Sequence, residues 1–144
     1  MRKNTLTAIA TTILFSFGAC KKSDSPSSAK TVQNLSGSYV LTSLIWTSNG
    51  ISANVYDSLP TCEKDNILQL LTDGTAHEID ANVKCDPPEP DSVTTWNLSA
   101  KGDSLYFGGL GTFIKSWDGK TLVYTGIVWG APLQVIATTT LVKQ

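Results

Sequence analysis

The chain has one histidine among its 144 residues and only three cysteines. That supply of nitrogen and sulfur ligands is too thin for a zinc site. Charge of one sign is also missing: 11 Lys and Arg stand against 12 Asp and Glu, a formal net charge of −1, and removing Arg2 and Lys3 takes it from −1 to −3. No basic stripe remains, which argues against nucleic acid as a partner. Beyond an apolar stretch near the start there is no second long apolar run, and so no sign of a membrane-spanning helix. No repeat of fixed period is visible. Serines are plentiful, yet no Gly-x-Ser-x-Gly elbow accompanies them. The glycine-rich stretch Phe107–Gly111 precedes a predicted strand rather than a helix, so it lacks the helix start that a phosphate-cradling loop uses and reads as a tight link or bulge.

What is present begins with a leader. Arg2 and Lys3 are basic, residues 6–17 carry no charge, Gly18 and Ala19 are small, and Cys20 follows. Basic, apolar, small is the layout of a secretory signal peptide, here residues 1–19. The stretch Phe17-Gly18-Ala19-Cys20 resembles the lipobox of bacterial lipoproteins, with Phe17 where an aliphatic residue is usual. That resemblance implies cleavage before Cys20 and acylation of it, with membrane lipid as the partner. Two or more acyl chains hold a protein stably where one does so only marginally. The alternative is a plain signal peptide cut near Ala19, with Cys20 a free thiol. Residues 20–33 are then the acylated cysteine and a spacer rich in Ser and Lys, too poor in apolar side chains to offset the entropy of ordering.

Residues 34–144 form one domain by length. They consist of short runs rich in Val, Ile, Thr, Leu and aromatics, divided by turn residues, which reads as antiparallel β. Eight strands are expected, at 37–47, 66–72, 75–81, 92–99, 104–108, 112–117, 121–128 and 133–143. Asp73-Gly74 between the second and third suggests a two-residue type I′ hairpin. Mostly short links make the arrangement an up-and-down meander, and eight strands close into a barrel just wide enough to be filled by side chains or to hold one small ligand. Alternate links then lie at the same end. The tight turns mark one end. The long segments 48–65 and 82–91 fall at the other and form a mouth.

Cys62 and Cys85 both belong to that mouth. Counting outward from Asp73-Gly74 brings them face to face, within reach of a disulfide, and an exported chain meets an oxidising compartment. By strand alternation this pair falls at a widely spaced position, so the ladder is expected to break before reaching them. His77 and Glu78, adjacent on a strand, point to opposite faces and read as a solvated polar surface rather than a catalytic pair. Asp86, Glu89 and Asp91 sit in a loop with Pro87, Pro88 and Pro90; they read as an acidic loop without metal, since Ca²⁺ wants a shaped loop offering about six or more oxygens. No metal and no cofactor is expected.

The segments "NLSGSYVLTSL", "CEKDNILQLLTDGTAHEID", "VTTWNLSAKGDSLYF", "LVYTGIV" and "TTTLVKQ" resemble the lipocalin-like lipoprotein domains common in Bacteroidetes. The resemblance covers about residues 34–144 and implies an all-β, eight-stranded lipocalin-like barrel. Gly37-Ser38-Tyr39 departs from the family's Gly-x-Trp by carrying Tyr. The resemblance implies that Tyr39 plugs the closed end beneath Lys143 through a cation–π contact; an ordinary core role for Tyr39 is the alternative.

The expectation is therefore a lipid-anchored, non-catalytic lipoprotein of the cell envelope, with the outer membrane as first candidate and the domain in the periplasm or at the cell surface. Its barrel would bind a small apolar ligand. Trp46, Ile51, Val55, Tyr56 and Trp129 near the mouth, with Trp96 and Phe107 inside, are the candidate contacts. A filled barrel whose mouth loops dock an envelope protein, or a carbohydrate-binding module using exposed Trp, are the alternatives. A connected apolar void of at least ~300 Å³ favours small-molecule binding.

Overall fold

The computed structural model describes residues 28–88, 90–130 and 132–144. Cys20 and the expected signal peptide lie outside them. A single helical turn, α1 (Val32–Leu35), opens the domain. Thr31 caps it, its side chain accepting from the Asn34 amide at 3.2 Å. Leu35 is fully buried and Val32 packs against the core, so the domain takes in residues that composition assigns to the spacer.

Nine strands follow: β1 (Gly37–Ser48), β2 (Ile51–Asn54), β3 (Ile67–Leu70), β4 (Thr75–Ile79), β5 (Ser92–Leu98), β6 (Ser104–Phe107), β7 (Leu110–Trp117), β8 (Thr121–Trp129) and β9 (Val135–Lys143). All neighbours are antiparallel, and β9 returns to pair with β1 from Tyr39↔Lys143 to Thr47↔Ile136. The fold is thus a closed eight-stranded antiparallel barrel with one extra strand. The extra strand is β2, which pairs with the last part of β1 while β3 pairs with the first. Asn49 and Gly50 between β1 and β2 both have positive φ, 50° and 78°. This is the Asn-Gly turn that hairpins favour.

The segment expected as one long mouth loop, residues 48–65, is therefore structured. It holds β2, a 3₁₀ turn (Tyr56–Ser58) and a second helical turn, α2 (Thr61–Lys64). The sixth barrel strand begins at Leu110 rather than Thr112, because Gly108 and Gly109 supply the turn with φ of 54° and 87°.

The β3–β4 hairpin corrects the expected register. The Gly74 amide donates to the Leu71 carbonyl and the Leu71 amide to the Thr75 carbonyl, leaving a three-residue loop, Thr72-Asp73-Gly74. Gly74, at φ 87°, takes the left-handed position that closes such a loop. Partners shift by one residue relative to a two-residue turn, so Leu68 faces Glu78 and Leu70 faces Ala76. A one-residue slip exchanges the faces of a strand. Gln69 and His77 are left as a pair on the other face from Leu70 and Ala76, and Glu78 turns inward.

The core fills the tight-turn half of the barrel. Its largest fully buried side chains are Trp96, Tyr39, Leu35, Leu70, Leu105 and Leu122. At the opposite end the ladder between β3 and β4 stops at Ile67↔Ile79, and a disulfide continues where it breaks off: Cys62, in α2, bonds to Cys85 with Cα atoms 5.2 Å apart. Asp65 adds to the brace, its Oδ2 accepting from the amides of Asn82 and Val83 at 3.0 and 2.9 Å.

The disulfide spans a sequence separation of 23; replacing both cysteines by serine is expected to cost about 3 kcal/mol by chain entropy, read as a lower denaturation midpoint. Asp118 accepts from the Lys120 and Thr121 amides at 2.8 and 2.6 Å, and Asp73 from the Thr75 amide at 2.9 Å. These bonds hold both carboxyls below the usual carboxylate range. Their stabilisation is present above the unfolded pKa and is lost as pH falls through the lower folded value. Asp118→Asn should therefore flatten the acid limb of a stability–pH curve while changing stability least at very low pH.

Candidate functional site

The mouth half of the barrel is not filled. Above the core lies a cavity of about 370 Å³. Ala76 and Leu141, both core members, form its floor, and Leu41, Leu44, Leu68, Phe107 and Tyr124 contribute apolar wall. Each arrives from a strand whose alternation turns it inward: Leu41 pairs with Leu141, Leu44 with Thr139, and Thr139 in turn with Tyr124. Glu63, Asn66, Glu78, Ser92, Thr94 and Thr139 complete the lining. Glu63 sits in α2 beside Cys62, while Glu78 and Ser92 are paired across β4 and β5. The two carboxylates therefore come from α2 and β4, while Thr139 adds a hydroxyl side chain from β9.

A second cleft of about 540 Å³ opens beside it. The β7–β8 ladder runs only from Trp117↔Leu122 to Phe113↔Thr125; past that point Leu110–Thr112 pair with β6 alone and residues 126–129 lie against β9. Leu110, Phe113, Ile127 and Ile136 line this cleft and are solvent-exposed. Phe107 and Tyr124, with ring centroids 6.0 Å apart, line both spaces and form the partition between them. Burial pushes the Tyr124 phenol up from its ordinary pKa; the Glu78 carboxylate adds to this, and a hydrogen bond with the Thr139 side chain opposes it. Tyr124 is thus a neutral hydroxyl at physiological pH.

Among the expected ligand contacts, Phe107 lines the cavity. Trp46 and Trp129 meet at the rim, with centroids 5.5 Å apart and planes crossing at 69°, but line neither space. Trp96 lies below the cavity in the core, 2% exposed, its indole N–H donating to the Leu71 carbonyl at 2.8 Å. Ile51 is on the outer hairpin and 77% exposed. Val55 donates its amide to Leu44, and Tyr56 lies under the Lys64 ammonium at 5.3 Å from the ring centroid; neither lines the cavity. The inward turn of Glu78 was hidden by the two-residue hairpin assumption, and Glu63 by reading its segment as loop.

The opposite end is closed. The Tyr39 ring is fully buried, and its hydroxyl donates to the Leu35 carbonyl at 2.6 Å. The Lys143 ammonium lies 6.0 Å from the Tyr39 ring centroid and 5.9 Å from that of Trp117, and donates to the Asn34 carbonyl at 3.0 Å. Burial pushes the Tyr39 phenol far up in pKa. Among the described residues there is no cluster of three or more His, Cys, Asp or Glu placed to hold a metal ion, and no helix is long and apolar enough to cross a membrane, which says nothing of strands. Compared with protein-family models, curated proteins and solved structures, the chain matches none.

Gly37 sits under this cap with φ 147°, and a Cβ there would lie 2.3 Å from Lys143 Cε. Gly37→Ala is expected to cost about 1–3 kcal/mol through the disfavoured φ and displacement of Lys143. The check is chemical denaturation with Lys143→Met alongside: if the lost lysine contact contributes, the two costs will not add.

Proposed function

We propose that this protein is a lipid-anchored, lipocalin-like envelope lipoprotein whose barrel binds a small apolar molecule in the mouth-half cavity, without catalysing its conversion. The carrying observation is the cavity itself. A void of about 370 Å³ within a barrel whose other half is packed falls inside the ~300–1,000 Å³ range of small-ligand pockets. Its apolar floor and walls reward transfer of hydrocarbon out of water, at roughly 25 cal/mol per Å² buried. The disulfide and the Asp65 hydrogen bonds hold the rim on one side, which limits the ordering cost of binding. A flat aromatic platform for sugar rings is not supported, because the rim pair Trp46 and Trp129 meets edge to face. A filled barrel that acts only by docking is disfavoured by the same void.

The anchor rests on the Phe17-Gly18-Ala19-Cys20 pattern and is tested separately. Cys20→Ala is expected to abolish incorporation of a labelled fatty acid and move the protein out of the membrane fraction. Ligand binding is tested with N-phenyl-1-naphthylamine, a neutral apolar fluorophore. The wild type should enhance its emission with saturable affinity. Ala76→Phe, which adds a ring at the cavity floor, should weaken binding about tenfold or more, with circular dichroism confirming the fold; Leu68→Trp, on the wall, is the second filling variant. Absence of saturable binding to the folded wild type would overturn the reading.

A further inference from the structure

We propose that the cavity selects a cationic amphiphile, an apolar chain or ring system bearing an ammonium or similar donor-rich head, over neutral and anionic analogues. This deepens the apolar-ligand reading and rests on it. Among the described residues the only charged side chains lining the cavity are Glu63 and Glu78, and no Lys or Arg lines it. Two lysines of the mouth segments are engaged with other groups: Lys64 donates to the Asp57 carbonyl at 3.2 Å and lies over Tyr56, and Lys84 pairs with Asp80 at 3.4 Å. Glu78 lies opposite Ser92 across the β4–β5 ladder, the Ser92 hydroxyl donating to its carboxylate at 3.5 Å. The carboxylates of Glu63 and Glu78 are thus the charged acceptors on offer, and Ser92, Thr94 and Thr139 add hydroxyl side chains to the lining.

The distribution sets the pose. Glu63 and Asn66 come from α2 and the residues just after it, and Glu78 faces Ser92 across the β4–β5 ladder, while Ala76 and Leu141 lie at the floor. A ligand with its apolar part down and its cationic head against the two carboxylates satisfies both regions. An anionic head in the same place faces two like charges and no compensating cation.

The test uses the full-length chain and three probes with one hydrocarbon tail: octylamine, octanol and octanoate at neutral pH, below their micellar concentrations, by titration calorimetry. Octylamine should bind about tenfold more tightly than octanoate, with octanol between them; that spread corresponds to partly exposed charge pairs contributing modestly on each side of neutral. In the Glu63→Gln/Glu78→Gln double variant the three affinities should converge. Glu78→Gln alone, on the inward face but at the solvent-open end of β4, should remove part of the spread and serves if the double variant does not fold. Octanol binding with no preference for the amine would overturn this inference and leave the cavity reading standing. A preference that survives both substitutions would also overturn it. No binding of any probe to the folded wild type would overturn the cavity reading itself.

Discussion

Strand β1 serves three neighbours at once, and the rest of the molecule is arranged around that demand. One edge of it is taken along most of its length by β9, which closes the barrel. Its other edge is divided, β3 pairing with Gly37–Val40 and β2 with Ile45–Ser48. Few backbone groups on either edge are left to solvent along these ladders, so neither edge offers a template to another chain. The division has a geometric result. Because β3 leaves β1 early, the mouth-end part of β1 is flanked by an outer hairpin rather than by the barrel wall, and α2 fills in beside it. Glu63 and Asn66 of the cavity lining are placed there.

Packing is distributed unequally between the two ends for the same reason. At the closed end strands converge with tight turns, α1 folds across, and Tyr39, Trp117 and Lys143 stack to complete the plug. At the other end the connections are longer and the ladders terminate early, β3–β4 at Ile67↔Ile79 and β7–β8 at Phe113↔Thr125. Side chains there are too few to fill the diameter that eight strands impose. The void is a consequence of strand number combined with ladders of unequal length, and the bridge from Cys62 to Cys85 compensates on one side for the missing strand pairing.

Much of the architecture was legible in residue pattern because period-two runs and turn residues are local signals. The barrel and the parity of its ends follow from them; Cys62 and Cys85 do pair, but beyond the point where the ladder ends, since the count that sets them face to face is one residue off the actual register. The failures were also local. Asn49-Gly50 carries as strong a hairpin signal as any in the chain, yet β2 went unread, because its run Ile51–Asn54 is short and exposed on all four residues. Asp73-Gly74 was assigned to a two-residue loop when Gly74 instead closes a three-residue one, and that single count decides whether His77 or Glu78 faces inward. The cavity lining was the least legible part. Trp46 and Trp129 were placed at the rim by parity, but which inward side chains border a void depends on where ladders stop, and no local pattern reports that.

The plug also decides where the chain comes in. Lys30 lies against the turn at Gly102, where a Cβ would meet its carbonyl at 3.2 Å, and Asn34 and Leu35 give their carbonyls to Lys143 and Tyr39. The chain therefore enters the domain at the sealed pole. Entry and opening stand at opposite poles, so a molecule reaching the cavity never crosses the side on which the backbone arrives.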